Sequence, residues 1–126
     1  MATSKIKSTK EIVERGTNNS WEYIKFSDGT FEASRFSTSG ATSTLTQIGS
    51  TGIYYSAQAE ITLPSIGITQ VRAINIGCAP SDNYFLDMIV NRLTVTSFYV
   101  YYLRYGSGVA VSNISWWVKI EGKWSN

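Results

Sequence analysis

Carboxylates, a lone thiol and tryptophans beside lysines are the side chains in this chain that could do chemistry. Glu22 and Glu32 flank the dipeptide Asp28-Gly29 and could be imagined as the acid and base of a glycosidase. Asp82 and Asp87, at either end of SDNYFLD, could hold a calcium ion, but lack the regular ligand spacing of a calcium loop. A solvated turn explains them better. Cys78 is the single cysteine, set in the apolar run AINIGCA, and reads as a buried, inert thiol. Trp117, Lys119 and Trp124 near the C-terminus could bind a ligand, because an exposed indole stacks on the apolar C–H face of a sugar ring while polar neighbours hold its hydroxyls. Burial of Trp117 between subunits is the competing reading. The chain has no histidine. That removes His-based triads, the commonest general acid–base residue and nearly every zinc site, so no cofactor and no metal are expected.

The elements that must position these groups read as strands. Val, Ile, Tyr, Phe and Thr fill short runs between Gly, Ser and Asn clusters, near 20–27, 30–37, 53–63, 69–79, 84–95, 97–105 and 111–121. An antiparallel β-sandwich of about six to seven strands follows, the all-β class, over a single domain at 16–126. Residues 1–15 form an N-terminal arm, with only a weak capping box at Ser8 and Glu11 to suggest a helical turn.

Residues 21–36 carry the sharpest local signal. Asp28-Gly29 between aromatic runs predicts a two-residue hairpin turn, because both positions tolerate positive φ. In that register Lys25 faces Glu32, Glu22 faces Arg35 and Phe26 faces Phe31, so charges match and aromatics meet. Glu22 and Glu32 then point to opposite faces, each opposite a cation, and cross-strand pairing displaces the catalytic reading. A three-residue turn with a bulge is the competing geometry. Gly29→Val should lower the melting temperature, and an unchanged value would remove the hairpin.

Two further strands have defined faces. In 97–105, Phe98, Val100, Tyr102 and Arg104 share one side, and Tyr99, Tyr101, Leu103 and Tyr105 the other. Both sides are apolar or aromatic, whereas one face of a sandwich sheet ordinarily meets water. Either the N-terminal arm covers the second side or a second subunit does; the subunit is expected, with Tyr99, Tyr101, Leu103 and Tyr105 at the interface. In 111–124, Ile114, Trp116, Val118 and Ile120 alternate into the core, and Trp117 and Lys119 project away from it.

The whole chain fits one domain. It has 126 residues, 43% hydrophobic, 13% aromatic and 16% charged, which excludes a disordered chain. A net charge of +2 is too mild to suggest nucleic acid without a clustered basic patch. The first fifteen residues hold no apolar core of signal-peptide length, and no stretch approaches the ~20 apolar residues of a spanning helix, so no membrane insertion is expected.

The first hairpin resembles the opening of bacteriophage and prophage tail fibre or baseplate receptor-binding domains, a pattern like W-x-Y-x-K-W-S-D-G-x-x-E. Trp21, Tyr23, Lys25, Ser27, Asp28, Gly29 and Glu32 fit it, with Phe26 in place of the usual Trp, and EIVERGTNNS looks like the approach segment. NRLTVTSFYVYY and SWWVKIEGKW resemble the closing strands, with Glu121 an extra residue before Gly122. The layout from about 53 to 124 is similar to H-type lectin domains, trimeric sandwiches that bind sugars, through Leu63-Pro64, the Thr94, Thr96, Phe98 step and the closing Trp strand. No sugar-contacting residue carries over by position. The resemblance implies a homotrimer on a virion, acting outside the cell. It would recognise a bacterial cell-surface polysaccharide or teichoic acid, contact other tail or baseplate proteins, and not be an enzyme. A purely structural trimerisation or fibre-capping module is the alternative reading, and a polysaccharide-degrading fragment a third.

Overall fold

A computed structural model describes residues 10–42, 45–80 and 85–125. Among them there is no helix, and ten strands form two antiparallel sheets. The first sheet runs β1 (Ile12–Asn18), β2 (Trp21–Phe26), β3 (Thr30–Gly40), β10 (Ile114–Trp124) and β7 (Ile68–Pro80), in that spatial order. The second is built on β9 (Ser97–Tyr105). One edge of β9 carries β5 (Ile53–Tyr55) and β6 (Ala59–Thr62) end to end, the other carries β8 (Leu86–Asn91), and β4 (Thr46–Gln47) pairs with β5. The described part of the segment read as an arm is extended, and from Ile12 it belongs to β1.

The run expected as one strand over 53–63 is broken in two. Ser56 still pairs with Tyr102, donating its N–H to the Tyr102 carbonyl at 3.0 Å and accepting the Tyr102 N–H on Oγ at 2.8 Å. The register then changes between Tyr55↔Leu103 and Ala59↔Val100, so residues 57 and 58 bulge out of the ladder.

Alternation decides the core. Phe98, Val100, Tyr102 and Arg104 of β9 and Ile114, Trp116, Val118 and Ile120 of β10 are buried, on the faces their spacing assigned. With Trp21, Phe31, Ile61 and Leu63 they fill the space between the sheets. Trp21 is fully buried. It meets the Phe98 ring edge-on at 6.5 Å between centroids and donates its indole N–H to the Thr62 carbonyl at 2.8 Å. Truncating so buried an aromatic costs about 3–5 kcal/mol. The β1–β2 turn reinforces that clamp: Asn19 and Ser20 both have positive φ, as a two-residue hairpin turn requires, while Asn19 and Asn18 bond Leu63 and Ser65.

The β2–β3 hairpin exists, but with the other turn. Glu22 pairs with Ser34, Tyr23 with Ala33, Ile24 with Glu32 and Lys25 with Phe31, one residue away from the expected register. The loop is three residues, Ser27-Asp28-Gly29. Gly29 takes φ +86° and donates its N–H to the Phe26 carbonyl at 3.1 Å. Asp28 stabilises this loop from its side chain, accepting the Thr30 N–H at 3.0 Å and the Thr30 hydroxyl at 2.6 Å on Oδ1. Those bonds hold its carboxyl below the ordinary carboxylate value. These bonds favour the three-residue loop, the competing geometry of the sequence reading, together with the burial of Trp21, Phe31 and Ala33.

Candidate functional site

The one-residue shift relocates every charge of the hairpin. Lys25 does not face Glu32, and Glu22 does not face Arg35. Lys25 is on the core-facing side of β2, where its ammonium sits 3.4 Å from Glu14 Oε1 and 4.6 Å from the centre of the Trp124 ring. Glu14 also accepts the Tyr23 hydroxyl, which holds its carboxyl low and pushes the phenol up. Arg35 turns towards the Trp116 ring, 5.4 Å from its centre. Glu22 and Glu32, expected on opposite faces, share the outer face of the first sheet, because Glu32 is paired with Ile24, which lies two positions along β2 from Glu22.

On that face they join Trp117 and Lys119, which the sequence singled out. Lys119 pairs with Ser34 across β10–β3 and reaches Glu32 Oε1 at 3.6 Å and Glu121 Oε1 at 3.8 Å. All three are well exposed, and such a pair is worth at most about 1 kcal/mol to the fold, so a ligand can compete for it. Arg15, Thr17, Glu22, Glu32, Ser34 and Lys119 line a trough of about 440 Å³ over β1, β2, β3 and β10.

Trp117 stands next to this trough. It pairs with Phe36 on β3 and Gly77 on β7, so β10 places it between an aromatic ring and a bare backbone. A Cβ on Gly77 would lie only 2.4–2.9 Å from Cζ2, Cε2 and Nε1 of the indole. The ring therefore lies across Gly77, held down on one side. It remains 44% exposed, beside a Phe36 that is 65% exposed. Trp124 is not part of this face: its indole N–H donates to the Phe26 carbonyl at 3.2 Å, and the ring packs against the core. The sequence offered no signal for Phe36 as a site residue, since the strand face it occupies relative to β2 depends on the length of the turn that ends at Gly29.

The outer face of the second sheet is different. Tyr99, Tyr101, Leu103 and Tyr105 all point away from the core, flanked by Ile89 on β8 and by Ile53 and Tyr55 on β5. The described part of the N-terminal segment pairs with β2 and does not cover them. Tyr105 donates its hydroxyl to Asp87 at 2.9 Å, which pushes the phenol up, and the Arg92 guanidinium lies 5.5 Å from the centre of the Tyr99 ring. Asp87 is thus an acceptor for Tyr105; Asp82, its suggested calcium partner, lies outside the described residues. Cys78 is half-buried against the core, with Sγ 4.0 Å from the Leu86 carbonyl, and burial raises its thiol pKa, which disfavours the reactive thiolate.

Compared with family models, curated proteins and solved structures, the chain shows no significant match to any of the three.

Proposed function

We propose that this domain is an adhesion module that recognises a bacterial cell-surface saccharide on the outer face of its first sheet. The observation that carries the reading is the indole of Trp117, fixed over Gly77 and exposed beside Phe36 at the end of a polar trough. An immobilised, half-exposed aromatic ring offers a stacking surface at little entropic cost, and C–H-rich sugar faces suit it. The neighbouring carboxylates, ammonium and hydroxyls supply acceptors and donors for sugar hydroxyls, and Lys119 and Arg15 suit a phosphate-bearing polymer such as teichoic acid.

The rest of the reading follows from the second sheet and from the hairpin. The aromatic outer face of β9 serves as the contact between copies in a homotrimer, and three shallow sites on one particle supply avidity that a single trough lacks. The setting, a phage tail fibre or baseplate acting at the host surface beside other tail proteins, rests on the likeness of the first hairpin and last strands to such domains. A purely structural capping module is the alternative, and it requires no ligand at Trp117.

Binding of the intact protein to arrays of bacterial wall polysaccharides tests the proposal. Wild type should bind at least one polymer, and Trp117→Ala should weaken that binding by about tenfold or more, as for the aromatic centre of an interface. Equal binding by Trp117→Ala, or no binding by an assembled wild type, would overturn it.

A further inference from the structure

A second site lies between the sheets, separate from the outer trough. Beside the bulge at residues 57 and 58, a cleft of about 400 Å³ opens towards the core, floored by Met88, Val100, Tyr102 and Trp116. Its volume falls within the range of small-molecule pockets. None of the described residues that line it is charged.

Two of its buried side chains have unused hydrogen-bonding groups, beside the exposed amide of Gln58. Tyr102 and Trp116 are each only 7% exposed. Among the described residues neither the Tyr102 hydroxyl nor the Trp116 indole N–H has a partner, while every fully enclosed side-chain polar atom has one, so both groups open on the cleft. They also converge. A Cβ on Gly40 would lie 2.8 Å from the Tyr102 oxygen and 2.8 Å from Trp116 Cδ1, the ring atom next to the indole nitrogen. Glycine at position 40 is what lets both approach the cleft wall. By contrast, the hydroxyls of Ser56 and Thr42 on the rim are committed to backbone bonds with Tyr102, Ala57 and Val111. Burial pushes the Tyr102 hydroxyl up to about 12, so it remains a donor at neutral pH.

We infer that this cleft binds a small uncharged molecule with an apolar body and one carbonyl or amide oxygen, which accepts hydrogen bonds from Tyr102 and Trp116. Among the described lining residues there is no countercharge, and the nearby Arg35 guanidinium is engaged on the Trp116 ring, so a charged ligand would lose hydration with little compensation. Two otherwise idle donors favour an acceptor over a pure hydrocarbon.

Acetanilide is a suitable probe, with benzoate as its charged counterpart and toluene as the hydrocarbon. Titrated into the ¹⁵N-labelled full chain, acetanilide should shift the Trp116 indole N–H saturably and leave that of Trp117 in place. Benzoate should bind about tenfold more weakly or worse. Tyr102→Phe keeps the ring and removes the donor, and should weaken acetanilide by about five- to tenfold while leaving toluene unchanged. An unmoved Trp116 signal, equal affinity for benzoate, or full affinity in a folded Tyr102→Phe would overturn the inference. Each of these leaves the outer-face reading intact, because Trp116 and Trp117 project to opposite sides of β10.

Discussion

The two outer faces of the sandwich are both rich in aromatics, yet they differ in what surrounds the rings. On the first sheet, Trp117 and Phe36 share the surface with Arg15, Glu22, Glu32, Lys119 and Glu121. On the second, Tyr99, Tyr101, Leu103 and Tyr105 lie mostly among Ile53, Tyr55 and Ile89, with Asp87 bonded to Tyr105 and Arg92 against the Tyr99 ring. Rings set among charges remain hydrated and suit a polar ligand, since burying those ions against another protein would be costly. Rings set among aliphatic side chains gain most by leaving water altogether. One fold therefore presents two aromatic surfaces that differ in how many charges surround the rings, a difference that fits the proposed saccharide on the first and the proposed neighbouring subunit on the second.

Breaking the second face should have the largest effect. Tyr101→Glu places a charge at the middle of the β9 stripe, and the proposed trimer should dissociate to monomers in light scattering at micromolar concentration. Trp117→Ala should leave the mass unchanged. A wild-type monomer would remove the subunit assignment, and a trimeric Tyr101→Glu would move the interface elsewhere.

A smaller effect is expected at Gly77. Gly77→Ala drives a methyl group to within 2.4 Å of the Trp117 indole and must lift the ring from its seat. Saccharide affinity should fall several-fold while the assembly persists. Full affinity would mean that the seating of the ring is irrelevant, and would leave only its exposure to explain binding.

Acid should separate the faces most gently. Asp28 and Glu14, both in the β1–β3 part of the first sheet, have carboxyl groups held below their ordinary values of 3.8 and 4.5. Their contribution to stability is complete above those values and is lost as pH falls through the lower folded ones. As the pH falls below about 4.5, amide exchange should rise in β1, β2 and the Asp28 loop before it rises in β8 and β9. Simultaneous loss of protection in both sheets would show that the hairpin acid groups do not act locally.

Much of the fold was legible in the residues. β9 has the bounds that its run of residues predicts, 97–105, and the inward and outward sets of β9 and β10 follow directly from alternation. Side chains alternate because of local backbone geometry, so no distant contact can change which ones share a face. β1 was harder to see: IVERGTN lacks an apolar face of its own and becomes a strand by pairing with β2. The short β4 is likewise defined by a two-residue ladder against β5 and not by its composition.

The site was less legible, and the hairpin shows why. Matching charges and aromatics supported the two-residue register, but weak surface pairings cannot outweigh the bonds Asp28 makes in the longer loop together with the burial of Trp21, Phe31 and Ala33. That single residue of loop length put Glu22 and Glu32 on one face with Lys119. The cleft was invisible for a related reason, since Gly40, Tyr102 and Trp116 come from three strands in two sheets. By itself the sequence determined the strand alternation, the all-β class and the projection of Trp117 away from the core, because these depend on near neighbours along the chain. Register, the company each aromatic keeps and the opening between the sheets were decided only by tertiary structure, because they depend on how separate strands satisfy one another's hydrogen bonds and bury one another's side chains.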